Sequence, residues 1–435
     1  MTNNKTTNPI TLTPSDGYTR YVLALIFFVT VFNTCDRTIL SVMVDEISSD
    51  LGLDDRQMGF LMGPAFALTY FLAGIPLARL ADKWSRTKVV SISLFTWSLM
   101  TALGGKAQTF LQFAITRIGV GFGEAGASPA NQALISEYVV PEKRARAMAM
   151  LTVGSIAGLA LGTIYGGWAS TNYGWRFALI SVGVPGVLLA LVFLLTIRDY
   201  RAQGVPKLDG NLWQQLKALY AIRPFVYLTL SACLVSIPAM GRALWELTFL
   251  RRVYEFSATE AGLWYFVTGA FPTAVGALGF GILLDRLGRK DRRWFVWLPG
   301  LASLALIPLT LTFYLYPTQP VIFGIMPEAF IWSIAASLLA AAWTPATMTL
   351  TTQLVPPHSR SVAAAVWSML ASLIGTGLGP LLVGDLSARL EPEHGAESIR
   401  YALIVLSFTP TLAALMFWQT GRAMQRSGAL DIQPS

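Results

Sequence analysis

Six charged residues sit in stretches otherwise too apolar for them: Asp36, Arg37, Arg117, Glu124, Arg242 and Glu246. Charge at hydrocarbon depth costs roughly 2.5–3.5 kcal/mol per residue, so it marks a pathway or a paired site. The carboxyls of Asp36 and Glu124 can take up and release protons. The guanidiniums of Arg37, Arg117 and Arg242 are planar forks that fit phosphate or carboxylate. Glu246 follows Arg242 by one helical turn and is a candidate i,i+4 partner. An ion pair between Asp36 and Arg117 would explain two of the six and leave Arg37, Arg242 and Glu124 without a role.

The elements that hold these residues follow from composition. Of 435 residues, 54% are apolar and 13% charged, with a mean hydropathy of +0.54. Soluble chains carry about 25% charge, which excludes an ordinary globular domain, and the hydrophobicity excludes disorder. Twelve apolar runs stand between charged or Pro/Gly-rich breaks, at about 20–44, 57–79, 88–106, 109–138, 145–170, 175–197, 223–250, 258–284, 293–315, 327–352, 361–388 and 399–421. Each can cross a hydrocarbon core of ~30 Å. Without period-2 alternation they must be helices, because unpaired backbone cannot face lipid. The expected fold is an all-α membrane protein of twelve spans.

Lys and Arg orient it. With both termini on one side, 22 of the 32 basic residues fall on that side, 7 on the other and 3 within spans. The positive-inside asymmetry places both termini in the cytoplasm, as expected for a plasma (inner) membrane protein. The excess of +8 charges therefore lies in short loops and does not point to nucleic acid. The polar first 17 residues show no cleavage site, so no signal peptide is expected. Cys35 and Cys233 fall inside spans and read as small hydrophobes. His358 and His394 fall in loops, so neither a histidine metal site nor a cofactor is expected.

The chain divides into a cytoplasmic tail (1–19), a six-span half (20–197), a basic linker with an amphipathic tail (198–222), a second six-span half (223–421) and a C-terminal tail (422–435). The halves repeat. Asp82-Lys-Trp-Ser-Arg86 after span two recurs as Asp285-Arg-Leu-Gly-Arg289 after span eight, 203 residues on. Pro141-Glu-Lys-Arg144 recurs as Pro357-His-Ser-Arg360, 216 on, and Gly158-x-x-x-Gly162 as Gly375-x-x-x-Gly379, 217 on. Repeated halves enclosing a midplane site are a transporter architecture. At 1.5 Å per residue, Asp36, Arg117 and Arg242 all lie ~12 Å below the outer surface, and Glu124 sits ~10 Å deeper than Arg117 on nearly the same face.

These loops, with Arg117-x-x-x-Gly121-x-Gly123 in span four, resemble the major facilitator superfamily over roughly residues 18–422. Asn33-Thr-Cys-Asp36-Arg37 and Arg117-Ile-Gly-Val-Gly-Phe-Gly-Glu124 resemble its spinster branch, which is associated with lysosphingolipid and lysophospholipid export. Ala78 and Ser85 depart from the loop glycines of that pattern. The resemblance implies two six-helix bundles, a monomer, and spans one, four, seven and ten around a central cavity.

On that basis Asp82, Arg86, Glu137, Asp285 and Arg289 are expected to latch the cytoplasmic ends when the outside is open, with Gln353 weakening the second copy. Asp36 and Glu124 are assigned to proton coupling, and Arg37, Arg117, Arg242 and Glu246 to the substrate. The glycines of spans four, five and eleven imply close helix contact. Glu328 reads as an interfacial residue at the start of span ten. No phosphate loop is present, since Gly104-Gly105-Lys106 is too short, so ATP is not the energy source. The leading expectation is a proton-coupled exporter of an anionic lysolipid, in contact with membrane lipids. An organic-anion or organophosphate carrier of the same fold is the alternative. A membrane-embedded lipid enzyme lacks a nucleophile beside a base.

Overall fold

The computed structural model describes residues 15–199, 212–318, 321–322, 326–356 and 359–427. The expected tails, most of the linker and His358 therefore lie largely outside the described residues. Among those described, nine stretches are long and apolar enough to cross a membrane. One of them, Val362–Arg426, holds two spans, and spans three and four complete the twelve. Span three opens with Arg86 and Lys88, and its Ser91, Ser93, Ser98 and Thr101 are buried.

Several spans are jointed, each at an identifiable residue. Span two divides into Asp55–Met62 and Pro64–Lys83, with Pro64 opening the second piece. Span twelve divides into Ser398–Leu406 and Pro410–Arg426 in the same way, as expected of a residue that suits only the first turn. Span four breaks between Phe110–Glu124 and Ala127–Tyr138. Span ten breaks between Phe330–Ala340 and Trp343–Gln353. It begins three residues later than the apolar run suggests, after an antiparallel pairing of Val321–Ile322 with Met326–Pro327. Glu328 thus precedes the helix. Spans five and eight each carry one π turn, Leu161–Tyr165 and Phe266–Ala270. Both lie where the halves meet, and π turns concentrate at functional positions.

The amphipathic helix Leu212–Ala221 buries Leu219 against Phe225, Val355, Val362 and Ala363, so it is anchored to the linker-side ends of spans seven, ten and eleven. Residues 44–51, which carry no apolar span, form the short helix Val44–Leu51, ended by Gly52 at φ 63. Only glycine adopts that conformation without strain. Cys35 and Cys233 are buried free thiols, as expected.

Glycine decides where the halves approach. A Cβ on Gly59 would lie 2.6 Å from the Pro380 carbonyl, one on Gly63 2.8 Å from that of Gly377, and one on Gly262 2.4 Å from that of Thr163. These positions all fall in the part of the molecule away from the linker. There, spans two and eleven, and spans five and eight, seal against each other.

Candidate functional site

Span one, Asp16–Ile39, delivers Asp36 and Arg37 about 100° apart around the helix, and the two part company. Asp36 is 2% exposed and turns into the first bundle. Both its oxygens face Thr101 Oγ1 of span three, at 2.5 and 2.7 Å. Phe32, Trp97, Ser98, Val182 and Gly183 close around it. Gly183 permits this, since a Cβ there would lie 2.6 Å from the Ser98 carbonyl. Asp36 is thus not a wall residue of the central cavity, although its depth and helix suggest one. No Asp36–Arg117 ion pair forms among the described residues.

Arg37 points the other way, toward spans two and four. Its Nε donates to Glu124 Oε2 at 2.5 Å, and its guanidinium lies 5.0 and 4.9 Å from the ring centres of Phe66 and Tyr70. The Arg37 side chain is 34% exposed and that of Glu124 is 0%. Arg117 is buried, its guanidinium 5.8 Å from the centre of the same Phe66 ring. Its Nε makes no hydrogen bond. Gly121 sets this spacing, because a Cβ there would lie 2.4 Å from the Phe66 carbonyl. The expected close approach at Gly121 and Gly123 is present, the latter against Trp97. The result is one partly exposed guanidinium held by one enclosed carboxylate, with a second cation behind an aromatic ring.

The second half carries a different cluster. Arg242 binds Glu246 through Nε and Nη2, and Nη2 also donates to Ser333 and Ser337 of span ten, each at 3.0 Å. Ser333 in turn donates to Glu246 at 3.2 Å. Beside Arg242 lies an apolar cavity of about 50 Å³ that includes Pro238, Thr310, Tyr314 and Leu406. Arg242 is therefore committed within its own bundle rather than standing across the cavity from Arg37. We expect Arg242→Ala to act mainly on folding, leaving Glu246 buried and unpaired at a cost of about 3–5 kcal/mol. Thermal stability of the detergent-solubilised variant checks this, and an unshifted melting temperature would argue against it.

At the linker end, Arg86 pairs with Glu137 within the first half. The Asp82 side chain is outside the described groups. Asp285 and Arg289 are exposed and form no ion pair among the described residues. Arg292 instead donates to Gln353 at 3.0 Å, three residues beyond the expected Arg289.

The opposite end holds a set of residues that sequence reasoning counts only as loop charges. Arg251 binds Glu46 through two nitrogens at 2.6 and 2.8 Å. Arg252 binds Asp55 at 2.7 and 2.8 Å and Asp45 at 2.8 Å. Ser387 donates to Asp55 at 2.6 Å, and Arg56 meets Asp385 at 3.3 Å. Every ion pair that joins the halves among the described residues belongs to this clamp. The adjacent Arg251-Arg252 at the end of span seven, facing five acids in 45–55 after span one, is the signal that could have found it. Thr101, Ser333 and Ser337 carried no charge to mark them, yet Ser333 stands 216 residues after Arg117, one repeat offset away. No cluster of His, Cys, Asp or Glu among the described residues could hold a metal.

Residues 26–380 and 243–431 match the Major Facilitator Superfamily. An MFS-type efflux pump of Mycolicibacterium smegmatis is 30% identical over 415 residues, covering 93% of this chain and 92% of that one. Protein spinster homolog 1 of Xenopus tropicalis is 23% identical, covering 93% of this chain and 81% of its own. A bacterial homolog of the human lysosomal transporter spinster, solved inward-facing and unoccupied, superposes with a TM-score of 0.85. It is 27% identical and covers 97% of this chain and 100% of that one.

Proposed function

Because the chain belongs to the Major Facilitator Superfamily and is a transporter of its spinster-like type, we propose that it couples proton movement to transport of an anionic amphiphile, such as a lysophospholipid or a sphingosine-phosphate-like lipid, at the Arg37–Glu124 pair. The observation that carries this reading is the asymmetry of that pair. The cation is one-third exposed while its carboxylate is fully enclosed. A substrate anion reaching Arg37 competes with Glu124 for the guanidinium. A carboxylate deprived of its cation in a buried site takes up a proton. Substrate binding and proton binding are thereby tied together. Arg117 adds positive charge behind Phe66, and Asp36 is a second protonatable group one side chain away, held by Thr101.

In this reading both termini are cytoplasmic and the clamp end faces outward. The described conformation is then open to the cytoplasm, and we take the absence of an ion pair at Asp285 and Arg289 among the described residues as the released state of the latch. Access alternates because a ligand shifts the balance between two states by its differential affinity for them.

The test is binding of lysophosphatidylglycerol and of its neutral monoacylglycerol counterpart to the full chain in detergent. Arg37→Ala should weaken the anionic ligand about tenfold or more, since a hydrogen bond to a charged group contributes roughly 1.5–3 kcal/mol. Arg37→Lys should fall between, lacking the bidentate fork. Equal loss for both ligands, or no loss for either, would remove the anionic headgroup from the reading. Asp36→Asn, in the same preparation, should leave binding within a few fold of wild type but alter its pH dependence. An unchanged pH profile would take Asp36 out of the coupling role.

A further inference from the structure

The lipid-facing side of the second half carries a groove outside the transport pathway. It runs between span nine, Trp294–Leu315, and the second piece of span twelve, Pro410–Arg426. Its volume is about 590 Å³ and its walls are almost wholly apolar, with Leu301 and Leu304 on one side and Ala414 and Leu415 on the other. That size falls within the roughly 300–1,000 Å³ of sites that hold ligand-sized molecules.

Two contacts fix the register of its walls. A Cβ on Gly300 would lie 3.5 Å from Phe417, and one on Gly421 would lie 3.3 Å from Val296. The helices are antiparallel, so Arg293 and Arg422 come within ~3 Å of one level along the axis. Each arginine lies over a tryptophan one turn deeper in its own helix. Arg422 is 4.6 Å from the Trp418 ring centre and Arg293 is 5.9 Å from that of Trp297. Both tryptophans line the groove, and both arginines are exposed. Neither guanidinium forms an ion pair among the described residues, although the Asp291 carboxylate accepts from the Arg293 backbone N–H at 2.8 Å. The cations of the transport site and the clamp, in contrast, are all close to carboxylates or aromatic rings of other spans. The two walls therefore repeat one sequence from the membrane edge inward: guanidinium, indole, then aliphatic side chains.

We propose that this groove binds one anionic glycerophospholipid of the leaflet on the linker side, its phosphate held by Arg293 and Arg422 and an acyl chain lying between Leu301, Leu304 and Leu415. The chemistry matches at each level. Guanidiniums donate bidentately to phosphate. The indoles occupy the depth of the glycerol and carbonyl region, where amphipathic rings settle. Basic pockets between spans on the cytoplasmic side are a recurrent form of headgroup recognition. The groove lies on the outside of the second bundle, so this inference does not depend on the substrate proposed above.

Native mass spectrometry of the full chain tests it, with phosphatidylglycerol or phosphatidylcholine added to detergent-solubilised protein. The expected result is one saturable adduct, at least about fivefold tighter for phosphatidylglycerol. Arg293→Ala with Arg422→Ala should erase that preference, and Leu304→Trp should weaken both lipids by filling the groove. Trp418→Leu, which keeps both charges and the apolar wall, guards against a folding failure in the other variants and should retain part of the preference. Equal binding of both lipids by the wild type, or an unchanged preference in the double variant, would overturn the proposal. So would a dimer cross-linked through residues of spans nine and twelve without any lipid adduct, which would assign this face to a second copy.

Discussion

Glu124→Gln is expected to abolish accumulation driven by a pH difference while leaving the protein folded. Gln keeps the size of the side chain and can still accept from Arg37 Nε, now 2.5 Å from Oε2. It cannot gain or lose a proton. If one proton moves per substrate, each pH unit across the membrane is worth about 1.4 kcal/mol, or tenfold in accumulation at equilibrium. Across two units the wild type should therefore concentrate substrate roughly hundredfold, and the variant not at all, with the membrane potential clamped. Equilibrative exchange of labelled substrate should survive in the variant. Accumulation that persists in Glu124→Gln would move the coupling group elsewhere, with Asp36 next in line because it is buried and adjoins Arg37 in span one.

The second large effect concerns the clamp. Arg252→Ala should release the sealed end, because it removes contacts to Asp45 and Asp55 at once and leaves the 5%-exposed Asp55 carboxylate with only Ser387. Truncating one partner of a buried charge pair costs about 2–5 kcal/mol. At 1.4 kcal/mol per factor of ten, the balance between closed and open forms should shift roughly 30-fold or more. Spin labels at Ser49 and Glu391, both exposed and on opposite halves, would read this as a second, longer distance. Cys35 and Cys233 are buried and should not take the label. A distance distribution identical to wild type would mean that the glycine contacts of spans two and eleven hold the seal alone.

The spans were legible because hydrocarbon thickness and backbone satisfaction leave few alternatives, and the helix limits agree with the apolar runs to within a few residues. Depth along a helix was legible for the same reason. Which way a side chain turns was not. Asp36 and Arg37 are neighbours in sequence, yet one faces span three and the other spans two and four. A helical step of 100° divides them, and only the packing of Gly121 and Gly183 decides which face meets which partner. Arg242 went astray in a similar way. Its depth matched Asp36 and Arg117, but two serines of span ten, silent in a search for charge, draw it into its own bundle. The clamp was missed because arginines at a span's outer end were counted toward topology, where their number matters and their partners do not.

The claim on which the account rests is that substrate takes Arg37 from Glu124 and that Glu124 then binds a proton. Adding lysophosphatidylglycerol to the detergent-solubilised protein at about pH 7, in weak buffer with a pH indicator, measures this directly, since a phosphodiester does not titrate there. Wild-type protein should take up protons in a manner that saturates with ligand binding, and Glu124→Gln should take up none. Binding without proton uptake in the wild type, or the same uptake in the variant, would contradict that claim.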